Sequence, residues 1–132
     1  MPVLVAIVTA EPTGWEGLSR IISSCGLCPV RCETLAAAIK LIAQHHVELV
    51  LCDDELPDGN FRQLIAYLRS PRQLTPVVVI SHFDDWGSYL DAMTAGAFEY
   101  VAFPPYPQEL EQAVAAALAE SQASQQVSAS AN

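Results

Sequence analysis

Apolar residues follow two alternating patterns along this chain. Short continuous apolar runs, typical of buried strands, alternate with segments in which apolar residues recur every three to four positions, as on one face of a helix. The predicted strands are 3–9, 28–33, 47–52, 76–81 and 98–103. The predicted helices are 13–25, 34–46, 61–69, 84–96 and a last one that begins at Pro107.

Residues with known preferences for helix ends support these limits. Thr34 is placed to cap the second helix, Gly26 and Gly96 follow the first and fourth, and Pro107 suits the first turn of the fifth. Strands that alternate with helices in this way form parallel sheets covered on both faces. We therefore predict a doubly wound α/β domain over residues 1–120. The Ser/Ala/Gln-rich segment 121–132 is predicted to be a low-complexity tail or linker stub.

Composition narrows the class of protein. Of the 132 residues, 52% are hydrophobic and 16% charged, which is typical of one globular domain. The 15 acidic residues against six Lys and Arg give a net charge of −9, so we expect no direct contact with nucleic acid or anionic membranes. Because no apolar run reaches 18 residues, we expect no membrane span or signal peptide and a cytoplasmic location.

The cysteines offer a metal or redox site, but the pattern is weak. Cys25, Cys28 and Cys32 contain one C-x-x-C, and Cys52 lies apart from them. No second C-x-x-C completes a set of zinc ligands, and the adjacent His45 and His46 are poorly spaced to bind one metal ion together. We favour packing roles for all four cysteines.

The predicted strand ends carry the candidate chemistry. In an open α/β sheet the working site lies beyond the carboxyl ends of the strands. Those ends are Thr9-Ala10-Glu11, Asp53-Asp54-Glu55, Ser81-His82 and Phe103-Pro104. Acidic residues often cap strand ends and helix starts, but three consecutive acids after a buried strand are more than such a cap requires. Asp53 is therefore the strongest candidate for a functional residue.

Three segments resemble the receiver domain of bacterial response regulators. They are "LVLCDDELPDG" (49–59), "PVVVIS" (76–81) and "AGAFEYVAFPPYPQELEQAV" (95–114). The resemblance runs from residue 2 to about residue 120. It implies a flavodoxin-like, three-layer α/β/α fold with strand order 2-1-3-4-5.

The resemblance also implies roles for four residues. Asp53 matches the phosphoacceptor of a two-component phosphorelay, and Ser81 the hydroxyl that hydrogen-bonds the phosphoryl group. Tyr100 matches the aromatic residue whose rotamer reports activation, and the backbone carbonyl of Glu55 matches a Mg²⁺ ligand. The implied partners are a histidine kinase or phosphotransfer protein, or a downstream protein contacted by the domain.

The first departure from the family pattern concerns metal binding. Thr9 and Ala10 occupy the positions of the acidic pair that binds Mg²⁺ in the family. Glu11 follows them, and we interpret it as a solvated loop acid rather than a ligand. Asp53 and the carbonyl of Glu55 would form a thin shell for a cation that prefers six oxygens, so we expect weak Mg²⁺ binding at most.

Two further departures affect charge near Asp53. Phe103 stands where the family has a lysine, and the sole lysine of the chain, Lys40, lies on the second predicted helix. His82 stands where a small residue is usual. Its imidazole could block the site or, when protonated, replace some lost charge, but we favour a partly exposed loop histidine. Surrounded by acids, Asp53 is predicted to have a raised pKa and to repel an incoming dianion.

These departures leave two versions of the receiver hypothesis. In the leading version Asp53 is phosphorylated and the output is a protein–protein contact. In the alternative, favoured by Thr9, Ala10 and Phe103, the domain is a pseudo-receiver that acts as an interaction or dimerisation module without phosphorylation. The contact face, and a homodimer option, would use the fourth helix, fifth strand and fifth helix. That face would present Trp86, Tyr89, Tyr100 and Tyr106.

Two other classes receive less support. The segment "TAEPTGW" (9–15) resembles a phosphate loop of a flavodoxin-like cofactor binder, but it has few glycines and places Glu11 where amide donors are needed. A hydrolase is disfavoured because Ser81 and His82 are adjacent and no G-x-S-x-G motif is present. We expect no enzymatic activity and no cofactor other than Mg²⁺.

Overall fold

The computed structural model describes residues 2–69, 75–83 and 85–130, the part from 122 to 130 as helix backbone. The strands are β1 (Leu4–Val8), β2 (Cys28–Cys32), β3 (Val47–Asp53), β4 (Glu55–Leu56), β5 (Gly59–Asn60), β6 (Val77–Ser81) and β7 (Glu99–Ala102). The helices are α1 (Pro12–Ser24), α2 (Leu35–Gln44), α3 (Phe61–Leu68), α4 (Trp86–Ala95) and α5 (Pro107–Ser130).

Five of the strands form one parallel sheet in the order β2-β1-β3-β6-β7. Counted without β4 and β5, this is the expected order 2-1-3-4-5, so the predicted doubly wound fold is confirmed. The antiparallel pair of β4 and β5 was not predicted. With two residues in each strand, it is too short to produce a recognisable apolar alternation.

The sheet is buried on both faces because alternate residues of each central strand enter different cores. On one face, Ala6, Val8 and Val50 pack with residues of α2, α3 and α4. On the other, Ile7 and Leu51 pack with residues of α1 and α5. The continuous apolar runs of β1, β3 and β6 follow from this double burial.

Side chains and special backbone conformations fix the helix ends. The Thr34 hydroxyl accepts a hydrogen bond from the Ala37 N–H at 3.0 Å, as the sequence predicted. Gly96 ends α4 with φ of 109°, a conformation that residues with a Cβ rarely adopt.

Two sequence predictions fall partly outside the described residues. The predicted helix start at Asp84 is one of them, and the observed α4 begins at Trp86 with Asp85 as its N-cap. The backbone of α5 continues as helix through Ser130, and the end of the predicted tail, 131–132, is not described. The division into a domain and a tail at residue 120 stays a prediction.

The four cysteines occupy different environments, and each is a free thiol. Cys32 and Cys52 are buried in the core, and burial raises the pKa of both thiols. Cys28 begins β2 and is half-buried. The predicted packing role is wrong for Cys25, which follows α1 as an exposed C-cap residue because the helix ends at Ser24.

Candidate functional site

Neighbouring strands bring the predicted residues to one edge of the sheet. Thr9 follows β1, whose last residue, Val8, pairs with Cys52 immediately before Asp53. Asp53 ends β3 and pairs with Ile80, next to Ser81 at the end of β6. Parallel strands therefore place Thr9, Asp53 and Ser81 at the same carboxyl-end edge, as the topological rule for α/β sheets predicts.

Asp53 is a buried carboxylic acid, with only 5% of its surface exposed. Its pKa is raised above the ordinary value for aspartate, chiefly because burial disfavours the charged form. A hydrogen bond from the Thr9 side chain and the charge of His82 lower the pKa, whereas Asp54 and Glu11 raise it further. The predicted direction is thus confirmed, but burial contributes more than the neighbouring acids do.

The segment after β1 supplies one hydroxyl rather than two carboxylates. Thr9 is fully buried; its Oγ1 hydrogen-bonds Asp53 and accepts the Glu11 N–H at 3.1 Å. Ala10 and Glu11 are exposed, and Glu11 is the N-cap residue of α1, without a side-chain cap hydrogen bond. Glu11 acts on Asp53 through its charge.

Asp54 turns toward the end of β6. Its N–H donates to the Ile80 carbonyl at 3.1 Å, which continues the pairing of β3 with β6. One carboxylate oxygen lies 3.5 Å from His82 Nδ1, and the other lies 3.4 Å from Ser81 Oγ. Asp54 therefore contacts both the last residue of β6 and the loop residue that follows it.

His82 lies in the loop after β6 and contacts two other side chains, Phe103 and Asp54. Its ring packs on Phe103 with 5.0 Å between ring centroids, and 38% of its side chain remains exposed. Phe103 thus occupies the position of the family lysine and forms a support for an imidazole. The ring of His82 lies beside the site between Asp54 and Phe103.

The residues around Asp53 do not fit a complete Mg²⁺ shell. In the part of the chain that the structure describes, no three His, Cys, Asp or Glu side chains gather as a metal site. Among the described residues at this edge, Asp53 is the one buried carboxylate, while Glu11 and Glu55 are exposed. Mg²⁺ normally depends on carboxylates and water held in an octahedron, and one buried carboxylate supplies only a small part of that shell.

Ser81 takes part in a hydrogen-bond network with Tyr100 and Phe83. The Tyr100 hydroxyl donates to Ser81 Oγ at 2.7 Å and also contacts the Phe83 carbonyl oxygen. Ser81 Oγ in turn donates to the Phe83 carbonyl at 2.7 Å and accepts the Phe83 N–H at 3.0 Å. These partners hold Tyr100 toward the sheet edge and link β7 to the loop after β6.

Sequence reasoning missed the role of Asp58. Its carboxylate accepts the N–H groups of Leu35 at 2.7 Å and Ala36 at 3.0 Å, at the first turn of α2. These backbone hydrogen bonds, that from Ala36 foremost, lower the pKa of Asp58. The partners lie 23 and 22 residues away along the chain, so no local pattern could have indicated them.

Comparison with known proteins places this arrangement in a family. The family model described as the response regulator receiver domain matches residues 5–115. The chain is 30% identical over 112 residues to the response regulator protein PilR of Pseudomonas aeruginosa, covering 85% of this chain and 25% of that protein. The chain therefore belongs to the response regulator receiver domain family, and it spans about a quarter of the length of this relative.

Solved structures agree with this assignment. A crystal structure of a response regulator from Chloroflexus aurantiacus superposes with a TM-score of 0.84 at 26% identity, covering 90% of this chain and 99% of that chain. The beryllofluoride-activated NtrC4 receiver domain dimer gives a TM-score of 0.80 at 25% identity, covering 89% and 98% respectively. In the described residues, no helix has the length and apolar character needed to span a membrane.

Proposed function

We propose that this chain accepts a phosphoryl group on Asp53 within a two-component phosphorelay and passes the signal on by protein–protein contact. The observation that carries the proposal is the position of Asp53 at the carboxyl end of the central strand β3, in a chain of the receiver family. The donor would be a histidine kinase or a phosphotransfer protein, and the setting would be the cytoplasm.

The transfer itself requires little from the protein beyond position. A carboxylate oxygen of Asp53 forms a bond to phosphorus while the bond between phosphorus and the donor's histidine nitrogen breaks. The donor nitrogen keeps the electron pair and takes up a proton. Thr9 orients the acceptor through its hydrogen bond to Asp53, and Ser81 would donate to a phosphoryl oxygen after leaving its bond to Phe83.

We expect the transfer to be slow. The negative charges of Asp54 and Glu11 act on Asp53, so they also oppose an incoming phosphoryl dianion. Phe103 carries no charge. The positive charge of His82 favours the anionic form of Asp53. In similar sites fixed positive groups stabilise the transferred phosphoryl group, so their loss lowers the rate.

A second candidate is signalling without phosphorylation. It is favoured by the network of Ser81, Tyr100 and Phe83, since protein atoms alone hold Tyr100 in one orientation. In that case the surface of α4, β7 and α5 would be a permanent docking face. A homodimer through this face, as an NtrC4 receiver domain forms a dimer, remains a prediction for this chain.

The experiment that separates the two candidates is phosphorylation followed by intact mass measurement. The full chain is incubated with acetyl phosphate and Mg²⁺, beside Asp53→Asn and the matched neighbour Asp54→Asn. One added phosphoryl group on the wild type and Asp54→Asn, but none on Asp53→Asn, supports the first proposal. No adduct on the wild type, under conditions that modify an ordinary receiver, would contradict the first proposal and leave the second candidate, signalling without phosphorylation.

A further inference from the structure

Four aromatic and two acidic side chains line one surface groove on the face of α4 and β7. The groove encloses about 450 Å³ and lies between α4 and the segment that leads into α5. Its walls include Trp86, Tyr89, Tyr100, Tyr106, Asp85 and Glu109. We call this set the aromatic groove.

The aromatic groove exposes large rings to solvent. Trp86 is 71% exposed and Tyr106 is 78% exposed. Single exposed apolar residues are ordinary, but here both rings belong to one concave surface. Trp86 stacks on Tyr89 with 5.2 Å between ring centroids, and Tyr89 meets Tyr100 edge-on at 5.8 Å. Ring contacts therefore join three of the four aromatic side chains of the groove.

The charges of the aromatic groove have one sign. Asp85 and Glu109 are acidic, and hydrogen bonds from the backbone N–H and hydroxyl of Ser88 lower the pKa of Asp85. An adjoining depression of about 360 Å³ shares Tyr100 and Glu109 and adds Glu99. Of the described residues that line the two depressions, none is Lys, Arg or His.

We propose that the aromatic groove binds an arginine or lysine side chain presented by a basic segment of a partner protein. Aromatic faces attract cations through their quadrupole, and neighbouring carboxylates add a Coulombic attraction. An apolar or acidic segment would lack the Coulombic attraction to these carboxylates. The inference does not depend on phosphorylation of Asp53.

A second copy of this chain is a poorer occupant. A two-fold symmetric contact places the same surface of both copies together, so Asp85 and Glu109 of both copies would lie in one interface. The chain carries a net charge of −9 and only six Lys and Arg residues, which adds repulsion between copies. Charge complementarity therefore favours a basic partner.

The test uses blocked peptides of defined charge and the full chain. Acetyl-Ala-Arg-Arg-Ala-amide and its counterpart with two glutamines are titrated into ¹⁵N-labelled protein, and amide and indole shifts are followed by NMR. We expect the arginine peptide to shift signals of residues 85–90 and 99–109, and the affinity to fall as salt rises. The glutamine peptide should bind at least several-fold more weakly.

Matched variants locate the binding site. Trp86→Ala should weaken binding of the arginine peptide by roughly two- to fivefold, the scale of one exposed cation–π contact. Asp85→Asn with Glu109→Gln should weaken it further and flatten the salt dependence, while asparagine keeps the N-cap acceptor of α4. Tyr67→Ala, also an exposed aromatic, and Glu16→Gln should leave it unchanged.

Three results would overturn the proposal. One is equal binding of the glutamine peptide, and another is shifts that centre on the acids at 53–55 instead of the aromatic groove. The third is a concentration-dependent dimer in sedimentation whose shifts map to the same groove, which would make a second copy the occupant. Circular dichroism of every variant ensures that a loss of binding is not a loss of folding.

Discussion

Removing a single oxygen atom from Tyr100 should destabilise the protein measurably. The Tyr100 hydroxyl donates to Ser81 Oγ at 2.7 Å and contacts the Phe83 carbonyl oxygen. In Tyr100→Phe the ring, and with it the edge-on contact to Tyr89, is retained. One partly buried hydrogen bond contributes about 0.5–1.5 kcal/mol net, and the Tyr100 hydroxyl also contacts a second oxygen atom. We therefore expect the free energy of unfolding to fall by about 1–2 kcal/mol.

Urea denaturation followed by circular dichroism measures this change. The slope against urea should stay constant, since the mutation does not alter the surface exposed on unfolding. Tyr106→Phe is the matched control: its ring is 78% exposed, so its free energy of unfolding should change by less than about 0.5 kcal/mol.

A double-mutant cycle tests whether the network acts as a unit. The combined Tyr100→Phe and Ser81→Ala variant should lose less stability than the sum of the single variants, with a coupling of at least about 0.5 kcal/mol. If Tyr100→Phe matches Tyr106→Phe, or if the two changes add without coupling, the hydroxyl does not hold the loop after β6 as we argue.

Three further changes test other parts of the account. Asp53→Asn should be more stable than the wild type at neutral pH and equally stable at acidic pH. The pKa of Asp53 is raised in the folded state, so its contribution to stability is fully present below the ordinary aspartate pKa and is lost as pH rises through the folded pKa. Thermal melts across pH, with Glu16→Gln as control, measure this difference. Asn60→Ala should cost about 1 kcal/mol in urea melts because Asn60 forms a capping box with Gln63 at the start of α3, whereas Asn60→Asp should not. Leu64→Ala should cost about 2–5 kcal/mol, since Leu64 is fully buried, and a smaller loss would contradict the packing of α3 on the sheet.

Much of the fold could be predicted because the strongest signals are local. The apolar runs of β1, β3 and β6 are continuous since both faces are buried, and Thr34 and Pro107 mark helix starts by short-range chemistry. The strand order came from the family resemblance, because local patterns do not specify which strands are neighbours in a sheet.

The details of the site depended on contacts between distant segments. The sequence indicated Asp53 and Ser81 through their places at strand ends, and it indicated a raised pKa for Asp53. It did not show that burial is the main cause, that His82 packs on Phe103, or that Asp58 holds the first turn of α2. Each of these facts arises from tertiary packing.

The most direct test of the central claim is to locate the phosphoryl group on the chain. After incubation with acetyl phosphate, borohydride reduces an aspartyl phosphate to homoserine, and tandem mass spectrometry of the digest identifies the converted position. We expect homoserine at position 53 alone, and none in Asp53→Asn. Conversion at position 54 or 58 instead, or none anywhere while an ordinary receiver is converted in parallel, would contradict it.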